Sequence, residues 1–99
     1  MTGYYIRRKV DNNQQDIVAT LRRLGCSVQS LASLGHGVPD LLVGFRGRNI
    51  LLEVKNGALP PSARGLTEKE QGWHDKWNGE VLTVHNEEEA LEAVGLIGP

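Results

Sequence analysis

Apolar positions along the chain change period several times, and each change predicts an element. Ile17, Val18, Leu21 and Leu24 recur at helical spacing. Asp11 reads as the N-cap of that helix, Gln14 completes a capping box, and Gly25 ends it. Residues 26–33 pattern weakly as a strand, and Leu34-Gly35-His36-Gly37 forms a turn leading to Pro39. β-rich runs over 40–45 and 50–55, joined by Arg46-Gly47-Arg48-Asn49, predict a hairpin. Thr67 and Glu70 form a second capping box, opening a helix to about Asn78 with Gly79 at its end. Residues 80–85 read as another strand. Asn86 then caps a last helix whose first turn, Glu87-Glu88-Glu89, suits the helix dipole and which Gly95 closes. The predicted order is α-β-β-β-α-β-α, an α/β chain.

The hairpin departs from a simple apolar pattern at three places. Asp40 follows Val38-Pro39, and Glu53 and Lys55 flank Val54 after Leu51-Leu52. Residues two apart in a strand project from one face, so Glu53 and Lys55 lie together. Buried Asp, Glu and Lys are costly unless paired or bound to metal. Asp40 and Glu53, from neighbouring strands, can converge on one Mg²⁺ (or Mn²⁺) if they share a face, with the backbone carbonyl of Val54 as a third oxygen and waters completing the shell. Such an ion polarises a phosphate oxygen and lowers the pKa of bound water. Lys55 can orient that water or stabilise charge building on the phosphate. The bland alternative makes Asp40 the start of a strand and Glu53/Lys55 ordinary surface alternation. The apolar neighbours Leu51, Leu52 and Val54 speak against it, because neither face of this strand is cleanly polar.

Composition bounds the picture without deciding it. Ninety-nine residues make a single domain, 1–99, with residues 1–10 as an N-terminal arm of two tyrosines and three basic residues. The net charge of −1 hides a split: residues 1–55 hold eight Lys/Arg against four acids, and residues 56–99 three against eight. The half with the charged triplet is therefore the basic half, which permits a phosphate-facing surface. No apolar run is long enough to span a membrane, and no signal-peptide core precedes Arg7-Arg8-Lys9. A single cysteine, Cys26, suits a reducing cytoplasm and reads as a small core residue.

Gly37-Val38-Pro39-Asp40, the hairpin and Glu53-Val54-Lys55 together resemble the PD-(D/E)XK nuclease pattern. Within that superfamily the chain is similar to the virus-type replication-repair nuclease (VRR-NUC) domain, over about residues 10–94. The supporting residues are Asn13-Gln14-Gln15-Asp16-Ile17-Val18, Gly35-x-Gly37-x-Pro39-Asp40, and Leu66-Thr67 with Gln71. The domain occurs as a stand-alone phage protein and as a module of larger DNA-repair nucleases. The resemblance implies a restriction-endonuclease-like α/β core, a mixed central sheet flanked by helices. It also implies Mg²⁺- or Mn²⁺-dependent hydrolysis of DNA, with Asp40 and Glu53 as ligands and Lys55 catalytic. For a phage protein it implies the cytoplasm of a bacterial host. Similar stand-alone domains resemble Holliday junction resolvases, so branched DNA and a homodimer are the expected substrate and assembly.

Many members of the fold add an acid from the first helix. The matching inward position here is Gln14, an amide, for which a catalytic role and the capping box compete. Ser33 and His36 before the Pro-Asp turn, Arg46 and Arg48 in the hairpin turn, and Gln71 are candidate DNA contacts, each set against an ordinary loop or surface role. Trp73 and Trp77 make a stripe that reads as core or dimer packing ahead of base stacking. His74 and His85 lack a ligand-spaced Cys or His partner, which argues against zinc. The principal alternative is a DNA junction-binding module with weak or lost catalysis, serving a replication or recombination complex.

Overall fold

A computed structural model describes residues 2–60, 62 and 65–98, with side chains from Asn13 onward. Its first helix, α1 (Thr2–Arg23), leads to strand β1 (Ser27–Ser30), a 3-10 helix (Ala32–Leu34), and the hairpin strands β2 (Leu41–Phe45) and β3 (Arg48–Val54). Helix α2 (Glu68–Lys76), strand β4 (Val81–Val84) and helix α3 (Glu87–Val94) follow. The strands form one mixed sheet in the order β1-β2-β3-β4, antiparallel except for the parallel β3–β4 pair.

Four local expectations need correction. The element order is not α-β-β-β-α-β-α as it stands, because the 3-10 helix intervenes where residues 26–33 were expected to be one strand. Asp11 is not an N-cap, because α1 is already helical from Thr2. No Gly or Pro lies between Tyr4 and Leu24, so nothing in the chain stops the helix from extending past a local capping pattern. Side chains of the expected N-terminal arm, including Tyr4, Tyr5 and Arg7 to Lys9, lie outside the described residues, as do Pro61, Ala63 and Arg64 of the loop expected beside the site. The hairpin turn is tighter than four residues. Phe45 pairs with Arg48, and Arg46 and Gly47 take φ of 51° and 80°, the left-handed pair that matches strand twist in a two-residue turn. Finally, α2 stops at Lys76, with Trp77 already extended.

Both later caps form as the sequence predicts. Thr67 and Glu70 close a full capping box, and the Asn86 side chain accepts the Glu89 N–H at 2.8 Å. Gly95, at φ 86°, ends α3 in the left-handed conformation.

The hydrophobic core lies on one face of the sheet. Leu41 and Val43 of β2 face Leu52 and Ile50 of β3 in register. Ile17 and Leu21 of α1, Val84 of β4, and Ala90 and Val94 of α3 join them in one buried cluster. Each buried Leu, Ile or Val side chain contributes about 1.5–3 kcal/mol by leaving water. Strand alternation sends Leu42, Leu51 and Glu53 to the opposite face. Because Ile50, Leu51, Leu52 and Glu53 are all buried, β3 is covered on both sides. Among the described residues, no helix is long and apolar enough to cross a membrane.

Candidate functional site

The register of the hairpin places the two carboxylates. Leu41 pairs with Leu52, so the residue before one and the residue after the other, Asp40 and Glu53, meet on the face away from the core. Asp40 is held there at both ends. Its Oδ2 accepts the Val54 N–H at 2.7 Å, and its carbonyl accepts the Leu31 N–H at 2.8 Å. Asp40 thus extends the β2–β3 ladder with a side chain in place of main chain. Val54, the expected source of a carbonyl ligand, meets the site through this N–H.

Glu53 is only 2% exposed. Burial first, then hydrogen bonding and repulsion from Asp40 and repulsion from Glu70, push its carboxyl up to about 9, with partial relief from Lys55. Its Oε1 has no hydrogen-bond partner among the described residues, and neither has His74 Nε2, 3.6 Å away. Two buried polar atoms facing each other without partners are uncommon in a folded protein, and each has bonding capacity to spare.

Lys55 continues the β3 ladder, donating its N–H to the Val84 carbonyl at 2.9 Å. Its ammonium meets Glu70 Oε1 at 2.7 Å, and the same oxygen accepts the Thr67 N–H at 2.8 Å. Burial pulls Glu70 upward, but the bonds from Lys55 and Thr67 outweigh it and leave its carboxyl below the usual range. Glu70 and His74 stand four residues apart on one face of α2, which is turned to Lys55 and Glu53. Sequence reasoning missed both. The cap gives Glu70 a complete local explanation in sequence, and His74 has no ligand-spaced Cys or His, whereas its neighbour in space is a strand carboxylate.

The other candidates divide by position. Gln14 lines a groove of about 720 Å³ with Asn13, Val18, Arg22, Lys55 and Asn56, so it shares a wall with Lys55 and not with Asp40 or Glu53. Asn13 Nδ2 donates to the Lys55 carbonyl at 2.9 Å and fixes the end of β3 against α1. His36, at φ 56°, faces α2 across a smaller cavity. Ser33 is exposed on the 3-10 helix. Gln71 turns away to Asp75, its Nε2 donating at 2.8 Å. Arg46 lies over the Phe45 ring at 5.0 Å, and Arg48 pairs with Glu80 at 2.9 Å. Both sit at the turn end of the hairpin, opposite the end that carries Asp40 and Glu53, so they are not gathered into the site. The Trp stripe is not core: α2 has no buried residue, and Trp77 is 48% exposed.

Among the described residues no group of three or more His, Cys, Asp or Glu side chains is arranged to hold a metal, which argues against a closed cage. A hard ion that keeps most of its waters needs fewer protein oxygens. Three carboxylates, Asp40, Glu53 and Glu70, face one ammonium here, and the unpartnered Glu53 Oε1 lacks positive charge. The donor set fits such an ion.

Compared with protein-family models, curated proteins and solved structures, the chain matches none. Function therefore rests on what the site itself can do.

Proposed function

We propose that this chain is a metal-dependent DNA endonuclease of the PD-(D/E)XK type, related to VRR-NUC domains, that cuts branched DNA as a homodimer. The observation that carries the reading is the pairing of Asp40 with a buried, cation-deficient Glu53 beside Lys55. A bound Mg²⁺ or Mn²⁺ would be held by Asp40 and Glu53, and would supply Lewis-acid charge to the phosphate and acidify water there.

The protein's own contribution is positional. Val54 fixes the Asp40 carboxylate, so no reorganisation is needed as substrate arrives. Lys55 carries three N–H donors; one is committed to Glu70, and the others answer charge building on the phosphate oxygens. Water attacks phosphorus, the bond to the 3′ oxygen breaks, and that oxygen leaves as a hydroxyl, giving a 5′-phosphate. Gln14 is one of the α1 amides lining the groove that reaches Lys55, where it can hold a water through its carbonyl oxygen but adds no negative charge.

A second reading, a junction-binding module without catalysis, is favoured by the commitment of Lys55 to Glu70. One experiment separates the two. Purified protein is incubated with four-way junction, flap and linear duplex in Mg²⁺, Mn²⁺ or EDTA. Metal-dependent products on branched DNA support the nuclease; junction binding with no product in either metal removes it. Asp40→Ala cutting as fast as the parent would remove the site assignment even where activity is present.

A further inference from the structure

We propose that the face of α2 next to the carboxylates is a subsite for one unpaired nucleotide of the strand being cut, with its base against Trp73 and its phosphates on Lys69 and Lys76. This inference rests on the nuclease reading and names the substrate feature that reading leaves open. The subsite is a cavity of about 350 Å³ lined by His36, Lys69, Gly72, Trp73 and Lys76, within the size range of small-ligand pockets.

Its lining combines an aromatic ring with cationic groups. Lys69, Trp73 and Lys76 fall at helical spacing on one face of α2, and Gly72 leaves the wall between them low. Neither lysine has an ion-pair or hydrogen-bond partner among the described residues, although α2 carries Glu68, Glu70 and Asp75. Two of those acids are turned to other work: Glu70 holds Lys55 and Asp75 accepts from Gln71.

The opposite wall is fixed. A Cβ on Gly37, at φ 82°, would overlap the Lys69 carbonyl, so the turn touches α2 backbone to backbone. His36 precedes that contact with a positive φ of its own, a conformation a non-glycine residue adopts only when its surroundings impose it. The turn is thereby clamped with His36 facing the lysines.

The cavity also adjoins the site. The Trp73 ring lies edge-on to His74 at 6.3 Å between centroids, and His74 faces Glu53. Trp77 stacks on Trp73 at 4.6 Å and 18°, which holds the ring in place. A base paired within a duplex cannot reach a ring set into a helix face, whereas an unpaired one can. Branch points and flaps carry such nucleotides.

The chain has only two tryptophans, and both are here, so their emission reports on this surface alone. The full chain is titrated in EDTA with an oligothymidine strand, the same strand made abasic, and a duplex of equal length. Base-dependent quenching is expected, with the abasic strand binding on the order of tenfold more weakly. The double variant Lys69→Gln/Lys76→Gln, at two exposed positions, should flatten the salt dependence by about 1.4 log units per decade, roughly 0.7 for each lost phosphate contact. Equal binding of the abasic strand or duplex, or an unchanged double variant, would overturn the subsite. So would emission that shifts with protein concentration in the absence of DNA, which would assign the Trp face to a second copy of the chain. A parallel Mg²⁺ cleavage assay keeps the two readings apart. Base-dependent binding without cleavage removes the nuclease and leaves the pocket; cleavage without base-dependent binding does the reverse.

Discussion

Lys55 and Glu70 meet at 2.7 Å, through the same Glu70 oxygen that closes the capping box on the Thr67 N–H. The start of α2 and the charged end of β3 are therefore one electrostatic unit. Thr67→Ala removes the cap alone and should cost about 1 kcal/mol. Glu70→Ala keeps the Thr67 hydroxyl cap on its own backbone N–H, but it takes away the acceptor of the Thr67 N–H and leaves the mostly buried Lys55 ammonium without its carboxylate, so it should cost roughly 2–3 kcal/mol. Urea unfolding midpoints check the difference. Equal losses would mean that Lys55 finds another partner at no cost, and that the pair is not what docks α2.

Stability of the metal-free protein should depend on Glu53 and pH in an unusual direction. The carboxyl is raised from 4.5 to about 9 in the folded chain, so between those values the folded state keeps a proton that the unfolded chain has released. The group's contribution is fully present below about pH 4.5 and is lost as pH rises toward 9. In EDTA the thermal midpoint of the parent should fall over that window relative to Glu53→Gln, which has no proton to lose. Saturating Mg²⁺ should flatten the parent's profile, because the ion takes the proton's place. Parallel profiles for parent and variant in EDTA would remove the claim that Glu53 is held protonated.

Gly37 tests the clamp between the turn and α2. Its φ of 82° and its approach to the Lys69 backbone leave no room for a side chain. Gly37→Ala meets both a disfavoured backbone conformation and a backbone clash, and should destabilise by more than about 1 kcal/mol. Because α2 buries no residue fully, the strain should be relieved by undocking of that helix and not by global unfolding. Hydrogen exchange should show faster amides in residues 68–76 and unchanged protection in β2 and β3. Uniform loss across the sheet would show that α2 is not a separable element.

The parts of this site that sequence discloses are those fixed by strand alternation. A hairpin of either turn length puts Asp40 and Glu53 on one face, but their pairing was not legible: runs of 40–45 and 50–55 set Asp40 opposite Lys55, and the two-residue turn Arg46-Gly47 sets it opposite Glu53. Contacts made across elements were not legible. Glu70 carries a complete local explanation as a cap, so nothing in its neighbourhood announces Lys55. Arg48 looked free for phosphate because its partner, Glu80, arrives through the parallel β3–β4 pairing, which no turn fixes. Asp11 shows the converse error. A capping pattern is permission to start a helix, and a helix that nothing upstream interrupts ignores it.

That last correction frees Gln14 for a decisive test. With α1 continuous through it, Gln14 caps nothing, and it sits in mid-helix on the wall of the groove that reaches Lys55. Gln14→Ala replaces a good helix former by the best, so stability should stay within about 0.5 kcal/mol of the parent. If the amide holds a water for the reaction, losing one hydrogen bond worth about 1.4 kcal/mol in the transition state should slow metal-dependent cleavage roughly tenfold. Gln14→Glu should retain the water contact and add the negative charge that the amide lacks, raising affinity for Mg²⁺ in a cleavage titration. Unchanged rates in both variants would take Gln14 out of the reaction and leave Asp40, Glu53 and Lys55 to carry it.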